Sequence, residues 1–430
     1  MPMAAALKKQ ALILTAANAY TRALGFALRL ITARLMGAEA LGVMELSSSA
    51  IMLAITPVTA GIPTAMSRLT ARRGTDERAV LRSGLSLIRR MSLLLIPALL
   101  VLSPAMAWLL GDLRTLPAIL ASAPAVLLLG ICAVYSGWFY GRSNVKTPAL
   151  NECAEQTVRC LMCVALLLFF PGRSAAVTAA LPGVAEIAAG IAVWGLYRRS
   201  VPGRLPAKPD PALSSQLFRL SAPTTASRLC QTAMRALNAV LLPVCLRRSG
   251  LTASAATAQF GLLSGMATPL LLLPGIVTGA VSMVAAPAVS RQEGQPRLLR
   301  RTMHRLLLGS AAIGAGAMLL LFFGAEFLGA RLYHESALAP LLRLMCPCAL
   351  LMAVQQVQFG LIAGLGLQRK ALTATIASSA LSLVITALLC PLPQLRLYGA
   401  AAASLATGLM RVLWNQAILR RTVPRDEISR

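Results

Sequence analysis

Eight arginines fall inside long apolar runs of this sequence: Arg22, Arg29, Arg34, Arg159, Arg228, Arg235, Arg343 and Arg411. A charged side chain at bilayer depth costs about 2.5–3.5 kcal/mol on insertion scales, so each needs a compensating partner or a use. Four of them form a pattern. Seven residues separate Arg22 from Arg29, and Arg228 from Arg235; at about 100° per residue each pair shares nearly one helix face. Arg22 lies about eleven residues into its run, roughly 16 Å, near the middle of a hydrocarbon core about 30 Å thick. A guanidinium stays charged and presents a planar fork to phosphate oxygens. Arg22, Arg29, Arg228 and Arg235 are therefore the candidate substrate-binding residues of a solvated cationic cavity. Phosphate or diphosphate is the leading ligand chemistry. Arg34 and Arg411 sit where they can snorkel to an interface.

The plain alternative is pairing with buried acids, of which Glu45, Glu152, Glu155, Glu186 and Glu326 are available. One or two such pairs are expected. Five acids against eight arginines leave positive charge in excess, so the cavity reading is preferred. Glu45, Glu152, Glu155 and Glu186 are candidates for ion coupling or charge pairing. Glu152 and Glu155 share a helix face, and Arg159 stands four residues after Glu155, which favours pairing there. Neither His304 nor His334 has a neighbouring nucleophile in a recognisable motif, and no phosphate-loop or HExxH pattern occurs. No enzyme activity and no cofactor are expected. The nine cysteines include a CxxC at Cys160 and Cys163, but with two histidines and no second cluster of zinc spacing no metal site is expected. They read as small apolar packing residues. Trp108, Trp138, Trp194 and Trp414 lie near run ends, as interfacial anchors do.

The elements that position these residues follow from composition. The chain is 57% hydrophobic and only 13% charged, too little polar surface to coat a soluble globule of 430 residues. Apolar runs span approximately 11–35, 41–67, 91–110, 117–141, 148–171 and 174–197, then 217–246, 254–290, 306–330, 337–366, 371–393 and 397–419. The fold class is an all-α membrane protein of about twelve transmembrane helices. The first run follows only Lys8 and Lys9 and is too long for a cleavable signal. The net charge of +27 comes from clusters between the runs, with few aromatics among them, which argues against nucleic acid. With the N-terminus in the cytoplasm, 27 cations fall inside and six outside, the remaining eight being the embedded arginines. That asymmetry predicts an even number of spans with both termini cytoplasmic. Of the predicted inside cations, Arg68, Arg72, Arg73, Arg78, Arg82, Arg89 and Arg90 form the largest group.

A weak repeat divides the chain. TRALGFALR at 21–29 aligns with SRLCQTAMR at 227–235 at an offset of 206, and Ser67-Arg68 echoes Ser290-Arg291. Two six-helix lobes related by a pseudo-two-fold axis are expected at 1–200 and 217–430. The Pro- and Gly-bearing stretch 201–216 reads as the cytoplasmic linker.

The block ALILTAANAYTRALGFALRLITARLMGAEALGVMELSSS, with TAGIPTAMSRLTAR after it, resembles the stage V sporulation protein B family of polysaccharide-type flippases. So do FRLSAPTTASRL, ATAQFGLLSGMATPLLLLP and APAVSR in the second half. That family belongs to the multidrug/oligosaccharidyl-lipid/polysaccharide superfamily, which also holds the lipid II flippases. The resemblance implies a V-shaped pair of lobes alternating between inward and outward states. Lipid II flippases use cavity arginines in their first helix; Arg22 matches such a position, and Arg29 is offset by one residue. The chain is similar to a twelve-span member, without the two extra helices of the lipid II branch. The multidrug branch relies on embedded acids, whereas arginines dominate here.

The expected function is outward flipping of an undecaprenyl-diphosphate-linked glycan or peptidoglycan precursor, for cell wall, spore cortex or polysaccharide synthesis. The expected location is the bacterial plasma membrane. Expected partners are membrane lipids, the lipid-linked anionic sugar substrate and cell-wall synthesis enzymes, with no nucleic acid. Two other readings stand beside it: a cation-coupled exporter of drugs or metabolites, and a non-transporting scaffold for cell-wall enzymes.

Overall fold

The computed structural model describes the backbone of residues 2–422 except 73, 171, 204–207, 291 and 293–294. Side chains are described for the same residues other than 2–12, 283–284, 286–288, 290, 369 and 422. Arg73, Arg204, Arg291, Arg425 and Arg430, and the side chains of Lys8, Lys9, Ser290 and Arg369, thus lie outside the described residues.

The described residues form α-helices and no strand. In chain order the helices are α1 (Pro2–Thr59), α2 (Ile62–Thr70), α3 (Glu77–Leu109), α4 (Leu116–Ser122), α5 (Ala125–Gly141), α6 (Lys146–Phe169), α7 (Ala175–Ser200) and α8 (Pro211–Arg248). Then come α9 (Ala253–Gly261), α10 (Thr268–Leu271), α11 (Pro274–Ser290), α12 (Pro296–Glu326), α13 (Leu338–Gly364), α14 (Gln368–Leu389) and α15 (Arg396–Thr422). Two π-helical turns, Leu262–Ala267 and Phe327–Tyr333, join or extend helices in the second half. Each predicted apolar run falls on a helix or on a group of consecutive helices. By length and apolarity alone, seven stretches among the described residues can cross a membrane, or nine if each of two bent pairs is one span. The break in α1 is at Gly37, whose φ of 75° and ψ of 171° lie in a region reserved for glycine. Large apolar side chains such as Val101, Phe169 and Phe323 stand exposed on helices of this apolarity, the surface that lipid covers.

The chain separates into two compact units, Met1–Val240 and Leu241–Arg430. In the first, α6 packs on α7 and on α1, α2 packs on α5, and α4 packs on α7. Leu28 and Met36 of α1 pack against Cys163, Leu167, Leu181 and Ala185 of α6 and α7. Helix α8 begins at Pro211, inside the stretch read as linker, because Asp210 caps it by accepting from the Ala212 N–H at 2.8 Å. The Asp210 N–H is itself tied to Ser83 Oγ of α3 at 3.0 Å.

Trp138 is not the interfacial anchor that its place near a run end suggests. Trp138 is buried, and its Nε1–H donates to the Glu77 carbonyl at 2.8 Å. Arg142 covers the ring at 4.6 Å and pairs with Glu77 at 3.0 Å. The indole closes the end of the α3–α5 contact rather than facing an interface. Trp108 and Trp414 are exposed, as interfacial residues are.

In the second unit α13 packs against α11, α12 and α15, and α14 packs on α15. Gln358 of α13 is fully buried and donates to the Val412 carbonyl at 3.1 Å and to Gln416 Oε1 at 3.3 Å. Arg411 does not need to snorkel: its Nε and Nη2 donate to Ser378 Oγ of α14 at 2.9 and 2.7 Å. The nine cysteines form no disulfide, and seven are buried as packing residues; Cys153 is half-buried and Cys230 is exposed.

Candidate functional site

All four candidate arginines lie in the first unit, on α1 and α8. Arg29 and Glu45 stand eight residues before and after Gly37, and Arg29 Nη1 donates to Glu45 Oε1 at 2.8 Å. Sixteen residues of straight helix would span about 24 Å, beyond the reach of both side chains together. The ion pair therefore requires that α1 fold back on itself at Gly37, with one leg before the glycine and one after. The first leg turns another face to α6. There Tyr20 OH lies 2.9 Å from Thr157 Oγ1, and Gly25 sits against Gln156. At about 100° per residue Arg22 and Arg29 lie roughly 120° around the helix from that contact, and both are exposed.

The second leg carries a polar face. Glu45, Ser49, Met52, Thr56 and Thr59 recur at spacings of 4, 7, 11 and 14 residues, within about 80° of one another. The far side, with Ala50 and Val58, and the flanks, with Leu46 and Ile55, are buried in the unit. Helix α8 has the same spacing in Ser221, Thr225, Arg228, Thr232 and Arg235. The two faces meet. Thr56 Oγ1 lies 3.2 Å from Thr232 Oγ1, and a Cβ on Gly61 would stand 2.3 Å from the Ser221 carbonyl oxygen and 2.5 Å from Thr225 Oγ1. Only glycine admits so close a helix approach.

These contacts run in opposite directions along the two segments, so α8 is antiparallel to the second leg. Counted in residues from Thr56–Thr232, Arg235 comes level with about Met52. Counted from Arg29–Glu45, Arg22 also comes level with about Met52. Both two-arginine stripes thus border this largely polar face, whose exposed member is the apolar Met52, 50% exposed, while Thr56 is buried. Arg228 and Arg235 are exposed and have no acidic partner among the described residues.

The remaining embedded charges are mostly satisfied. Arg159 Nη2 pairs with Glu155 at 2.7 Å, and its Nε lies 2.8 Å from Glu186. Arg343 pairs with Glu326 at 3.3 Å. With Arg29–Glu45, at least three of the embedded arginines are paired with an acid where one or two pairs were expected, and Glu186 joins through an α6–α7 contact that linear spacing does not show. Glu152 accepts from Tyr140 OH at 3.4 Å, separate from the Arg159 pairs. Arg114, outside the arginine pattern, pairs with Asp112 at 2.7 Å and also with Glu39, just beyond the Gly37 break. Among the described residues no group of three or more His, Cys, Asp or Glu side chains could hold a metal. The 45–59 polar face was legible from the same spacing that marked the arginines, but its hydroxyls carry no charge to draw the eye.

The sequence profile of a family described as "Polysaccharide biosynthesis protein" matches residues 7–293. Stage V sporulation protein B of Bacillus subtilis (strain 168) is 30% identical over 439 residues, covering 97% of this chain and 84% of that protein. Among solved structures, an inward-facing multidrug resistance MATE family transporter of the MOP superfamily matches with a TM-score of 0.74 at 14% identity, over 95% of this chain and 98% of that one. The lipid II flippase MurJ, in its inward closed conformation, matches with a TM-score of 0.75 at 13% identity, over 95% of this chain and 87% of that one. At these identities the structural likeness is one of fold alone, a multi-pass helical one. With its profile matched over residues 7–293 and a 30% identical relative aligned along nearly all of its length, this multi-pass membrane protein belongs to the polysaccharide biosynthesis protein family.

Proposed function

We propose that the protein is an alternating-access flippase. Its cargo is an undecaprenyl-diphosphate-linked glycan or peptidoglycan precursor, carried from the cytoplasmic to the outer leaflet for cell wall, spore cortex or polysaccharide synthesis. The observation that carries this reading is the polar face Glu45–Thr59 bordered by arginine stripes on α1 and α8, in helices otherwise apolar enough to lie in lipid. A diphosphate bound by Arg22, Arg29, Arg228 and Arg235 exchanges its hydration for charge-assisted hydrogen bonds. The polyprenyl tail stays in the bilayer. The lobes 1–200 and 217–430, joined by 201–216, are the moving bodies, and twelve crossings place both termini in the cytoplasm. An inside-negative potential favours outward movement of the anion by about 2.3 kcal/mol per charge per 100 mV. The name of the lipid II flippase supplies a precedent for such cargo on this fold. Cell-wall synthesis enzymes that make or use the precursor are the proposed partners.

The test is flipping of fluorescent undecaprenyl-diphosphate-linked sugars by purified protein in liposomes. Arg22→Ala and Arg228→Ala are each expected to abolish flipping while insertion and melting temperature are kept. Full flipping by both variants would refute the arginine cavity.

A second reading, cation-coupled export of a drug or metabolite, draws on the acid-rich α6–α7 contact, where Arg159 meets two carboxylates and Glu152 lies a turn away. It predicts that Glu186→Gln or Glu152→Gln abolishes transport and that the stripe arginines are dispensable.

A further inference from the structure

We propose that Glu45 is an internal stand-in for the substrate's phosphate: in the unloaded carrier its carboxylate holds Arg29, and an arriving diphosphate displaces it. The inference rests on the anionic-cargo reading above and adds the residue that sets affinity and release.

The geometry separates this ion pair from the others. Arg29–Glu45 ties the two legs of α1 together across the Gly37 break, so opening it removes a tie between them. The contact uses one N–H of Arg29, through Nη1, out of five that a guanidinium offers. The Arg29 side chain is 45% exposed and Glu45 15%, so the carboxylate lies beneath while the guanidinium presents its free edge outward. Glu45 also stands on the same helix face as Ser49, Thr56 and Thr59, which the arginine stripes border. Arg159 differs in holding two carboxylates, both within the α6–α7 contact.

Charge then decides the order of events. An anion arriving at this face finds Arg228 and Arg235 without a carboxylate and Arg29 with one. A diphosphate drawn to Arg29 brings its negative charge against that of Glu45, and like charges at hydrogen-bond distance repel. Carboxylate and phosphate both suit the guanidinium fork, and phosphate brings the greater charge. Displacement of Glu45 therefore accompanies loading. Its return to Arg29 after release blocks rebinding and closes the two legs of α1 again.

The experiment measures binding of undecaprenyl diphosphate to the purified full chain in nanodiscs. Glu45→Gln keeps the shape and removes the charge. It is expected to tighten binding by about tenfold, equivalent to about 1.4 kcal/mol, and to slow flipping at saturating substrate because release is impaired. In an Arg29→Gln background the same substitution is expected to change nothing. Unchanged or weaker binding by Glu45→Gln, or the same gain without Arg29, would overturn the inference and leave the anionic-cargo reading standing. Wild-type protein that binds no undecaprenyl diphosphate would overturn both. If Glu45→Gln does not accumulate, Glu45→Asp, which retracts the carboxylate by one methylene, should shift affinity the same way by a smaller factor, and no shift would overturn the inference equally.

Discussion

At the scale of single residues, some embedded charges are held by an acid and others stand exposed without one. Arg159 and Arg343 belong to the first group, and Arg228 and Arg235 to the second. Removing a charge from each group should have opposite signatures. Glu186→Ala leaves part of the Arg159 charge uncompensated inside the α6–α7 contact, and breaking a buried pair from one side costs about 3–5 kcal/mol when fully desolvated. Arg159 and Glu186 are partly exposed, at 29% and 21%, so the expected loss is smaller and reads as a clear fall in melting temperature. Arg235→Ala should leave the melting temperature within a degree or two and lower flipping sharply. Thermal unfolding in detergent alongside liposome flipping checks both. Trp138→Phe tests a different residue-level claim. It removes the donor to the Glu77 carbonyl in a buried position, which costs about 1–3 kcal/mol. The expected result is lower thermal stability with flipping retained.

At the scale of elements, two glycines decide how the arginine-bearing helices meet the polar face. Gly37→Ala meets no atom within 4 Å, so its whole effect is conformational. A side chain at that φ and ψ costs about 1–3 kcal/mol. The substitution is expected to loosen the two legs of α1, seen as faster proteolysis near residue 37 and reduced flipping. Gly61→Ala acts sterically: its Cβ would fall on the Ser221 carbonyl and force α8 away. The register between the second leg and α8 can be checked directly. With Cys230→Ser to remove the exposed native thiol, Thr56→Cys and Thr232→Cys together should form a disulfide on mild oxidation. A protease site placed between α7 and α8 then yields two fragments that stay joined until reduced. Separation of the fragments without reductant would contradict the Thr56–Thr232 contact.

At the scale of the whole molecule, charge asymmetry and fold make separate statements. The positive-inside count predicts that both termini are cytoplasmic, and reporter fusions at residues 1 and 430, with an external label at residue 37, test it. The external label should react only outside the cell, and cytoplasmic reporters should be active at both ends. Membrane residence, the helical class and the places of the runs followed from the sequence because each depends on local composition: a long apolar run becomes a helix in lipid whatever its neighbours are. The two arginine stripes followed as well, because helical periodicity is a property of spacing alone. Trp138 was misplaced for the converse reason, since nearness to a run end does not say whether a ring faces lipid or a neighbouring helix. The partners of charge were also out of reach. Arg29 meets Glu45 because Gly37 reverses the chain, Glu186 meets Arg159 because α7 packs on α6, and α8 meets the second leg of α1 where Gly61 permits it. Contacts between segments far apart in the chain depend on which faces pack together. That choice belongs to the tertiary structure, because the free energy separating one packing from another is summed over many side chains at once.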